Sequence, residues 1–109
     1  MDSKKNYQER VHEVTKKIPF GRVSTYGAIA DYLCLGSARM VGWALNRSFH
    51  SEFIPAHRVV NRKGELSGRI HFATPTMMKE LLENEGVQVE KDKVVNFQNL
   101  FWHPAELEK

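Results

Sequence analysis

His57 is the residue of this sequence best placed to act as a general base. Pro55 lies two positions before it and fixes its own φ, while Arg58 and the apolar pair Val59-Val60 follow. A catalytic base is often held after such a constrained turn, but a histidine hydrogen-bonded for structure has the same surroundings. The residues around His57 leave both interpretations open.

Metal binding and nucleophilic catalysis find little support elsewhere in the chain. The five histidines show no HxxxH or CxxH spacing and no Gly-rich phosphate loop is present, so we expect neither a metal nor another cofactor. Cys34 is the one cysteine, which excludes an internal disulfide and favours a reduced, intracellular protein. Because Cys34 falls at the apolar end of a predicted helix, we expect a buried core residue and not a nucleophile.

The positive charge is concentrated in the first two thirds of the chain. Residues 1–71 hold 12 Lys and Arg against 6 Asp and Glu, whereas residues 72–109 hold 4 against 7. Five of the seven arginines lie between residues 37 and 71. Such a field attracts phosphate, although an ordinary solvated basic surface has the same composition.

A single domain over residues 1–109 must position these side chains. The 41% hydrophobic fraction is enough for one core, and no apolar run approaches the roughly 18 residues of a membrane helix. Apolar spacing, caps and breakers predict a strand at Val59-Val60, a hairpin around 90–93, and helices over about 7–18, 25–33, 37–47 and 74–85. Phe97, Leu100, Phe101 and Trp102 are expected to fold back onto the core.

The second and third predicted helices are joined by a short Gly-containing turn, the outline of a helix-turn-helix. Ser24 or Thr25 is the candidate cap of the first of these helices. Gly42 lies in the middle of the other, where a glycine costs about 1 kcal/mol relative to alanine. Such a glycine permits close approach, either by another helix or by a nucleic-acid groove.

Four separated motifs resemble the O6-alkylguanine-DNA alkyltransferases. They are GRVSTYG at 21–27, ARMVG at 38–42, IPAHRVV at 54–60 and LLENEG at 81–86, in the family's order and near its spacing. The resemblance covers about residues 5–90 and leaves 91–109 as a C-terminal extension. It implies an α+β, mainly helical fold, a winged-helix-like helix-turn-helix domain.

The sequence departs from this family at its nucleophile. The family carries Pro-Cys-His-Arg, in which the cysteine takes the alkyl group, whereas this chain has Ala56 at that position. An alanine methyl has no lone pair and cannot attack an alkyl carbon. The chain therefore resembles the alkyltransferase-like branch, which implies a non-enzymatic monomer that binds O6-alkylguanine in duplex DNA, flips the nucleotide and flags the lesion for nucleotide excision repair.

The resemblance also implies roles in DNA binding, with the helix-turn-helix in the minor groove. Arg39 matches the arginine that takes the space of the flipped nucleotide, and Tyr26 matches the tyrosine that presses on the target phosphate. Gly42 and Ala44 are small residues that permit close approach to the groove. Trp43 stands where the family carries a small residue, so it either meets the DNA or packs into the core.

The implied lesion pocket contains Tyr26, Ala56, His57, Arg69 and Glu85. His57 and Glu85 match the family's proton relay, which without a sulfur remains as a hydrogen-bonding framework. Arg69, in the loop 67–69, is expected to lie against the flipped base through a cation–π contact. Ala56 leaves more room than cysteine, which predicts tolerance of bulky O6 adducts.

Two other functions remain open from the residues. His57 and Glu85 are compatible with a residual alkyltransferase or a DNA glycosylase. A helix-turn-helix also serves sequence-specific transcription regulators, which read the major groove and commonly dimerise. Alkyl transfer or base release would indicate the first function, and strong sequence preference the second.

Overall fold

The computed structural model describes residues 6–46 and 54–108 of the chain. Within these ranges it is α+β and mainly helical, as predicted. The helices are α1 (Tyr7–Lys16), α2 (Tyr26–Tyr32), α3 (Ala38–Asn46), α4 (Met77–Glu83) and α5 (Phe97–Leu100). The strands are β1 (Ser24–Thr25), β2 (Val59–Val60), β3 (Val89–Glu90) and β4 (Lys93–Val94). Short 3-10 helices cover Ala56–Arg58, Arg69–His71 and Pro104–Glu108.

Helices α1, α2 and α3 pack around one apolar cluster, here called the first core cluster. Helix α1 begins after Asn6, whose side-chain oxygen accepts a hydrogen bond from the Glu9 N–H at 2.9 Å. The buried residues of the cluster are Val11, Val14, Ile18, Ile29, Ala30, Leu33, Val41, Ala44, Leu45, Val59 and Trp102. Their spacing along α1 and α3 follows the helical period, so each helix buries one face.

The predicted helix-turn-helix is confirmed. Of the two candidate caps, Thr25 is the one used: its hydroxyl oxygen accepts a hydrogen bond from the Ala28 N–H at 3.0 Å. Residues 33–37 connect α2 to α3. The described part of α3 ends at Asn46, and the predicted last residue of this helix, Arg47, lies outside the described residues.

Two sequence predictions about local structure are wrong. Cys34 is exposed and not buried, because α2 ends at Tyr32 and Cys34 adopts a left-handed conformation (φ +57°) in the following turn. Helix α4 begins at Met77 and not at 74–75. Pro75 instead occupies the second position of a turn in which the Met77 N–H donates to the Thr74 carbonyl at 3.2 Å, a position that suits its fixed φ.

Strands β1 and β2 pair in parallel, with Ser24 opposite Val59 and Thr25 opposite Val60. This pairing places the 3-10 helix Ala56–Arg58 at one end of the strands. Tyr26, which begins α2, follows the other end. The predicted site residues therefore flank both ends of this strand pair, which is only two residues long.

The C-terminal segment folds back onto this strand pair, as expected. The predicted hairpin forms through β3 and β4, and Lys91 and Asp92 have the positive φ (+52° and +59°) that a two-residue type I′ turn requires. The Trp102 N–H donates to the Val23 carbonyl at 2.7 Å. A second core cluster contains Val23, Val60, Leu66, Met78, Leu82, Val87, Val89 and Val94, with Phe72, Phe97 and Leu100 packed against it.

None of the helices in residues 6–46 and 54–108 has the length and apolar character needed to cross a lipid bilayer. Over the same ranges, no group of three or more His, Cys, Asp and Glu side chains is arranged to hold a metal ion.

Candidate nucleic-acid interface

The outer face of α3 carries a stripe of side chains that the core does not use. Arg39, Gly42, Trp43 and Asn46 are spaced at i, i+3, i+4 and i+7, which places them on one face of the helix. With Tyr26 and Ala38 they line a cavity of about 400 Å³, here called the recognition cavity. Three of the four predicted DNA-binding residues, Tyr26, Arg39 and Gly42, are therefore brought together.

Gly42 faces open space. A Cβ built on Gly42 would meet no atom within 4 Å beyond its own helix. The alternative that another helix packs closely against this glycine is therefore wrong for the part of the chain that the structure describes. What remains is a helix surface without a projecting side chain, which a narrow groove can approach.

Trp43 projects from the same face. Its side chain is 52% exposed, so the alternative in which it packs into the core is wrong. An exposed tryptophan offers a large flat apolar surface with one N–H donor. Helical spacing in the sequence already places Trp43 on this face. It lies four residues after Arg39, which is about one turn of the helix.

Ala44 is the predicted DNA-binding residue that the structure contradicts. It is 0% exposed and belongs to the first core cluster together with Val41 and Leu45. Positions 41, 44 and 45 form the inner face of α3, opposite the stripe that begins at Arg39. The small side chain of Ala44 lets α3 pack closely against its neighbours and does not contact the recognition cavity.

Tyr26 is held in place at the edge of the recognition cavity. Its ring packs against the first core cluster, and a Cβ on Gly68 would come within 2.7 Å of the Tyr26 hydroxyl oxygen, so a larger residue there would require the phenol to shift. Burial raises the pKa of Tyr26, and a hydrogen bond with the Ser67 side chain offsets this only in part. The phenol therefore keeps its proton and remains able to donate it in a hydrogen bond.

Glu85 is the centre of a buried polar network at the other end of the strand pair. Its carboxylate is 2.6 Å from His57 Nε2, and Arg58 Nε donates to both its oxygens at 3.0 Å. The Gly21 N–H donates to Glu85 Oε1 at 2.8 Å, and Arg58 Nη1 also donates to the Ile18 carbonyl at 2.9 Å. The predicted hydrogen-bonding framework of His57 and Glu85 is thus formed, with Arg58 as its structural brace.

The network fixes the protonation states of its two titratable members. Burial lowers the pKa of His57 below its usual 6.5, and the hydrogen bond and charge of Glu85 do not reverse this. Burial raises the pKa of Glu85, but hydrogen bonds from Arg58, Gly21 and His57 outweigh it and lower the pKa below 4.5. At neutral pH Glu85 is ionised, so the neutral His57 must carry its hydrogen on Nε2 to share that hydrogen bond.

Ala56 begins the 3-10 helix that carries His57, and its methyl packs against the first core cluster together with Tyr26. No lone pair is available at this position for attack on a carbon. Within the part of the chain that the structure describes, the side-chain partner of His57 is Glu85, whereas nucleophilic catalysis would require a hydrogen bond to a serine or cysteine.

Arg69 is oriented by its own loop and by the hairpin. Its Nη1 donates to the Leu66 carbonyl at 2.9 Å, and its Nε is 3.4 Å from the Asp92 carboxylate. Ser67, two residues before Arg69, is hydrogen-bonded through its side chain to Tyr26. The structure therefore links Arg69 to Tyr26 through the loop 67–69, whereas the described contacts of Arg69 do not include His57 or Glu85.

Sequence comparison connects this arrangement to known proteins. The family described as 6-O-methylguanine DNA methyltransferase, DNA binding domain, matches residues 6–87. The chain is 35% identical over 103 residues to alkyltransferase-like protein 1 of Schizosaccharomyces pombe, covering 90% of this chain and 95% of that protein. It is 33% identical over 108 residues to the DNA base-flipping protein of Escherichia coli, covering 94% of this chain and 79% of that protein.

Several solved structures with similar folds are complexes with DNA. S. pombe Atl1 in complex with damaged DNA containing O6-carboxymethylguanine superposes with a TM-score of 0.79 at 35% identity, covering 95% of this chain and 98% of that chain. Mycobacterium tuberculosis OGT in complex with DNA superposes with a TM-score of 0.63 at 36% identity, covering 73% of this chain and 49% of that chain. The first similarity extends over nearly the whole chain, C-terminal segment included.

Proposed function

The chain belongs to the 6-O-methylguanine-DNA methyltransferase DNA-binding-domain family, in its alkyltransferase-like branch, and from this premise we propose that it is a non-enzymatic sensor of O6-alkylguanine in duplex DNA. The observation that carries the proposal is the outer face of α3. There Arg39 and an uncovered Gly42 line a cavity beside Tyr26, and no atom of the described chain beyond the helix's own backbone lies within 4 Å of a Cβ built on Gly42.

We propose that α3 enters the minor groove with this face. Gly42 lets the helix backbone approach a narrow groove. Arg39 is exposed and takes the place of the flipped nucleotide, because a planar guanidinium can both stack between bases and donate to the orphaned one. Tyr26 keeps its proton and donates to the phosphate of the target nucleotide.

The flipped base enters a pocket formed by Tyr26, Ala56, His57, Arg69 and Glu85. Flipping costs a few kcal/mol, and less where the base already pairs poorly, as an O6-alkylguanine does. An O6-alkylated guanine has lost its N1 proton and presents acceptors, which suits the Arg69 guanidinium. The small Ala56 leaves room for larger O6 substituents than methyl.

No alkyl group is transferred in this proposal. Ala56 stands at the nucleophile position, and Glu85 is fully engaged by His57, Arg58 and Gly21 within the protein. These residues therefore hold the pocket wall and do not activate a reacting group. Binding leaves the lesion chemically unchanged.

The test uses two fluorescently labelled duplexes that differ only in one guanine O6 methyl group. We expect tighter binding of the methylated duplex in an anisotropy titration, with the protein keeping its intact mass and the DNA its base. Equal affinity for both duplexes would contradict a lesion sensor. A gain of 14 Da by the protein would indicate an alkyltransferase, release of free base a glycosylase, and strong sequence preference with dimerisation a transcription regulator.

We further propose that the bound lesion is handed to nucleotide excision repair, since a monomeric sensor that cannot repair must leave the lesion for another system. Adding the protein to purified excision-repair proteins and a plasmid with one O6-methylguanine should increase incision beside the lesion. Unchanged or reduced incision would contradict the handover while leaving lesion binding intact.

A further inference from the structure

The recognition cavity does not end at α3. A second cavity of about 420 Å³ shares Tyr26 and Ala38 with it and extends to Arg62 and Lys63. A third cavity of about 550 Å³ shares Arg62 and Lys63 with the second and continues along the C-terminal segment. We call this third cavity the lateral groove; its polar lining is Arg62, Lys63, Lys93, Asn96, Gln98 and Asn99.

The two sides of the lateral groove form one rigid surface. In the turn 61–65, the Asn61 side-chain oxygen accepts from the N–H groups of Lys63 and Glu65 at 2.9 and 2.8 Å. The Val94 N–H donates to the Gly64 carbonyl at 2.8 Å, which joins this turn to β4. Gly64 has φ +82° and lies against the Phe97 ring, where a Cβ would come within 3.0 Å. The backbones that carry the basic side chains are therefore fixed relative to one another.

The groove carries three cationic side chains that form no ion pair within the described residues. Arg62, Lys63 and Lys93 are exposed, and no carboxylate in residues 6–46 and 54–108 forms an ion pair with any of them. Glu65 and Glu90 are the backbone pairing partners of Lys93, but neither carboxylate forms an ion pair with it, and that of Glu65 accepts a hydrogen bond from the Asn61 amide at 2.8 Å. Three cations and several amide donors in a continuous trough match a polyanion better than an apolar or cationic partner.

We propose that the sugar-phosphate backbone of the bound duplex continues from the recognition cavity into the lateral groove. There Lys93 and the neighbouring Arg62 and Lys63 contact phosphates. This inference rests on the proposed function, because it takes α3 to be the centre of the DNA interface. It gives a role to residues 93–99, which lie beyond the matched family domain that ends at residue 87. Phosphate contacts position the protein and carry no base information, so this surface strengthens binding to damaged and intact DNA alike.

The experiment compares Lys93→Gln with Lys91→Gln. Both lysines are exposed in the same hairpin and both changes remove one charge, but only Lys93 lines the groove. We expect Lys93→Gln to reduce the slope of log affinity against log salt by about 1, and Lys91→Gln to leave it nearly unchanged. Between about 50 and 200 mM salt the affinity of the wild type should therefore fall about threefold more than that of Lys93→Gln.

Both variants are measured on a guanine and an O6-methylguanine duplex, and Arg62→Gln serves as a second variant with the same expectation. Lys93→Gln and Arg62→Gln should each lower the affinity for the two duplexes by the same factor. If the wild type prefers the methylated duplex but Lys93→Gln and Arg62→Gln keep the wild-type salt slope, the lateral groove does not bind DNA and the sensor proposal stands. If the wild type shows no such preference, the proposed function itself is contradicted.

Discussion

The buried network around Glu85 and the outer face of α3 differ in how their polar groups are satisfied. Glu85, with its side chain 6% exposed, receives hydrogen bonds from His57, Arg58 and Gly21. On α3, Arg39 is exposed and forms no ion pair with the described part of the chain, and Trp43 is 52% exposed. The polar groups around Glu85 find their hydrogen-bond partners inside the protein. The exposed side chains of α3 are available to contact a partner.

This difference indicates that the network around Glu85 supports the fold, whereas the outer face of α3 is available for binding. The resemblance to the alkyltransferases implies that His57 and Glu85 match a proton relay to a cysteine nucleophile. Here the same pair braces the 3-10 helix Ala56–Arg58 against the segment that follows α4 and against the Gly21 turn. Changes in the network should therefore affect stability first, and changes on α3 should affect DNA binding first.

Glu85→Ala should have the largest effect on stability. It leaves the half-buried Arg58 and His57 without their shared acceptor, and breaking a buried ion pair from one side costs about 3 kcal/mol or more. Urea denaturation monitored by circular dichroism measures the free energy of unfolding. Glu83→Ala, at an exposed position two residues earlier at the end of α4, is the matched control and should stay within about 0.5 kcal/mol. A similar small change for Glu85→Ala would mean that the network does not support the fold.

Arg39→Ala should show the opposite pattern. We expect unchanged unfolding in urea but at least about tenfold weaker binding to the methylated duplex, equivalent to about 1.4 kcal/mol. Arg39→Lys separates charge from shape, because it keeps the charge and loses the planar guanidinium. Full affinity of Arg39→Ala would contradict the role of this side chain in flipping.

Gly42→Ala should move stability and binding in opposite directions. The position is helical and open, so alanine should stabilise the helix by about 0.5–1 kcal/mol. The added methyl lies on the face offered to the groove and should weaken DNA binding. An increase in both quantities would indicate that DNA does not approach α3 at Gly42.

Acidification should destabilise the network without involving α3. The pKa of His57 is lowered, so the unfolded chain binds a proton more readily, and stability declines as the pH falls below about 6.5. The pKa of Glu85 is also lowered, which adds a further loss below about pH 4.5. His57→Gln should remove the first part of this decline, and Arg39→Ala should follow the wild type throughout. Parallel pH curves for wild type and His57→Gln would contradict the assigned His57 state.

The helix-turn-helix was predictable because its signals are local. Apolar spacing along α2 and α3 and the Thr25 cap are signals that act within a few residues along the chain. The same local reasoning failed for Cys34, because the apolar pattern continues past the end of α2. It also failed for Pro75, because the fixed φ of proline suits the second position of a turn as well as the first position of a helix. Ala44 was assigned by its size, although its phase with Val41 and Leu45 places it in the core.

The buried network was not predictable from local pattern. Gly21 and Glu85 are 64 positions apart, and no spacing rule brings them together. Resemblance to the alkyltransferases supplied the pairing of His57 and Glu85, and the structure adds Arg58 and Gly21 as donors to the same carboxylate. The lateral groove could not be predicted from the sequence either, because it depends on how the hairpin β3–β4 packs beside the turn 61–65.

Trp43 emission during DNA titration tests the central claim most directly. The other tryptophan, Trp102, is 4% exposed, so a change on binding should come from Trp43, and Trp43→Phe is the control. We predict that the O6-methylguanine duplex changes the emission at lower concentration than the guanine duplex, with no change in Trp43→Phe and an unaltered protein mass. Identical titration curves for the two duplexes, or a protein that gains a methyl group, would contradict a sensor that binds this lesion through α3 without repairing it.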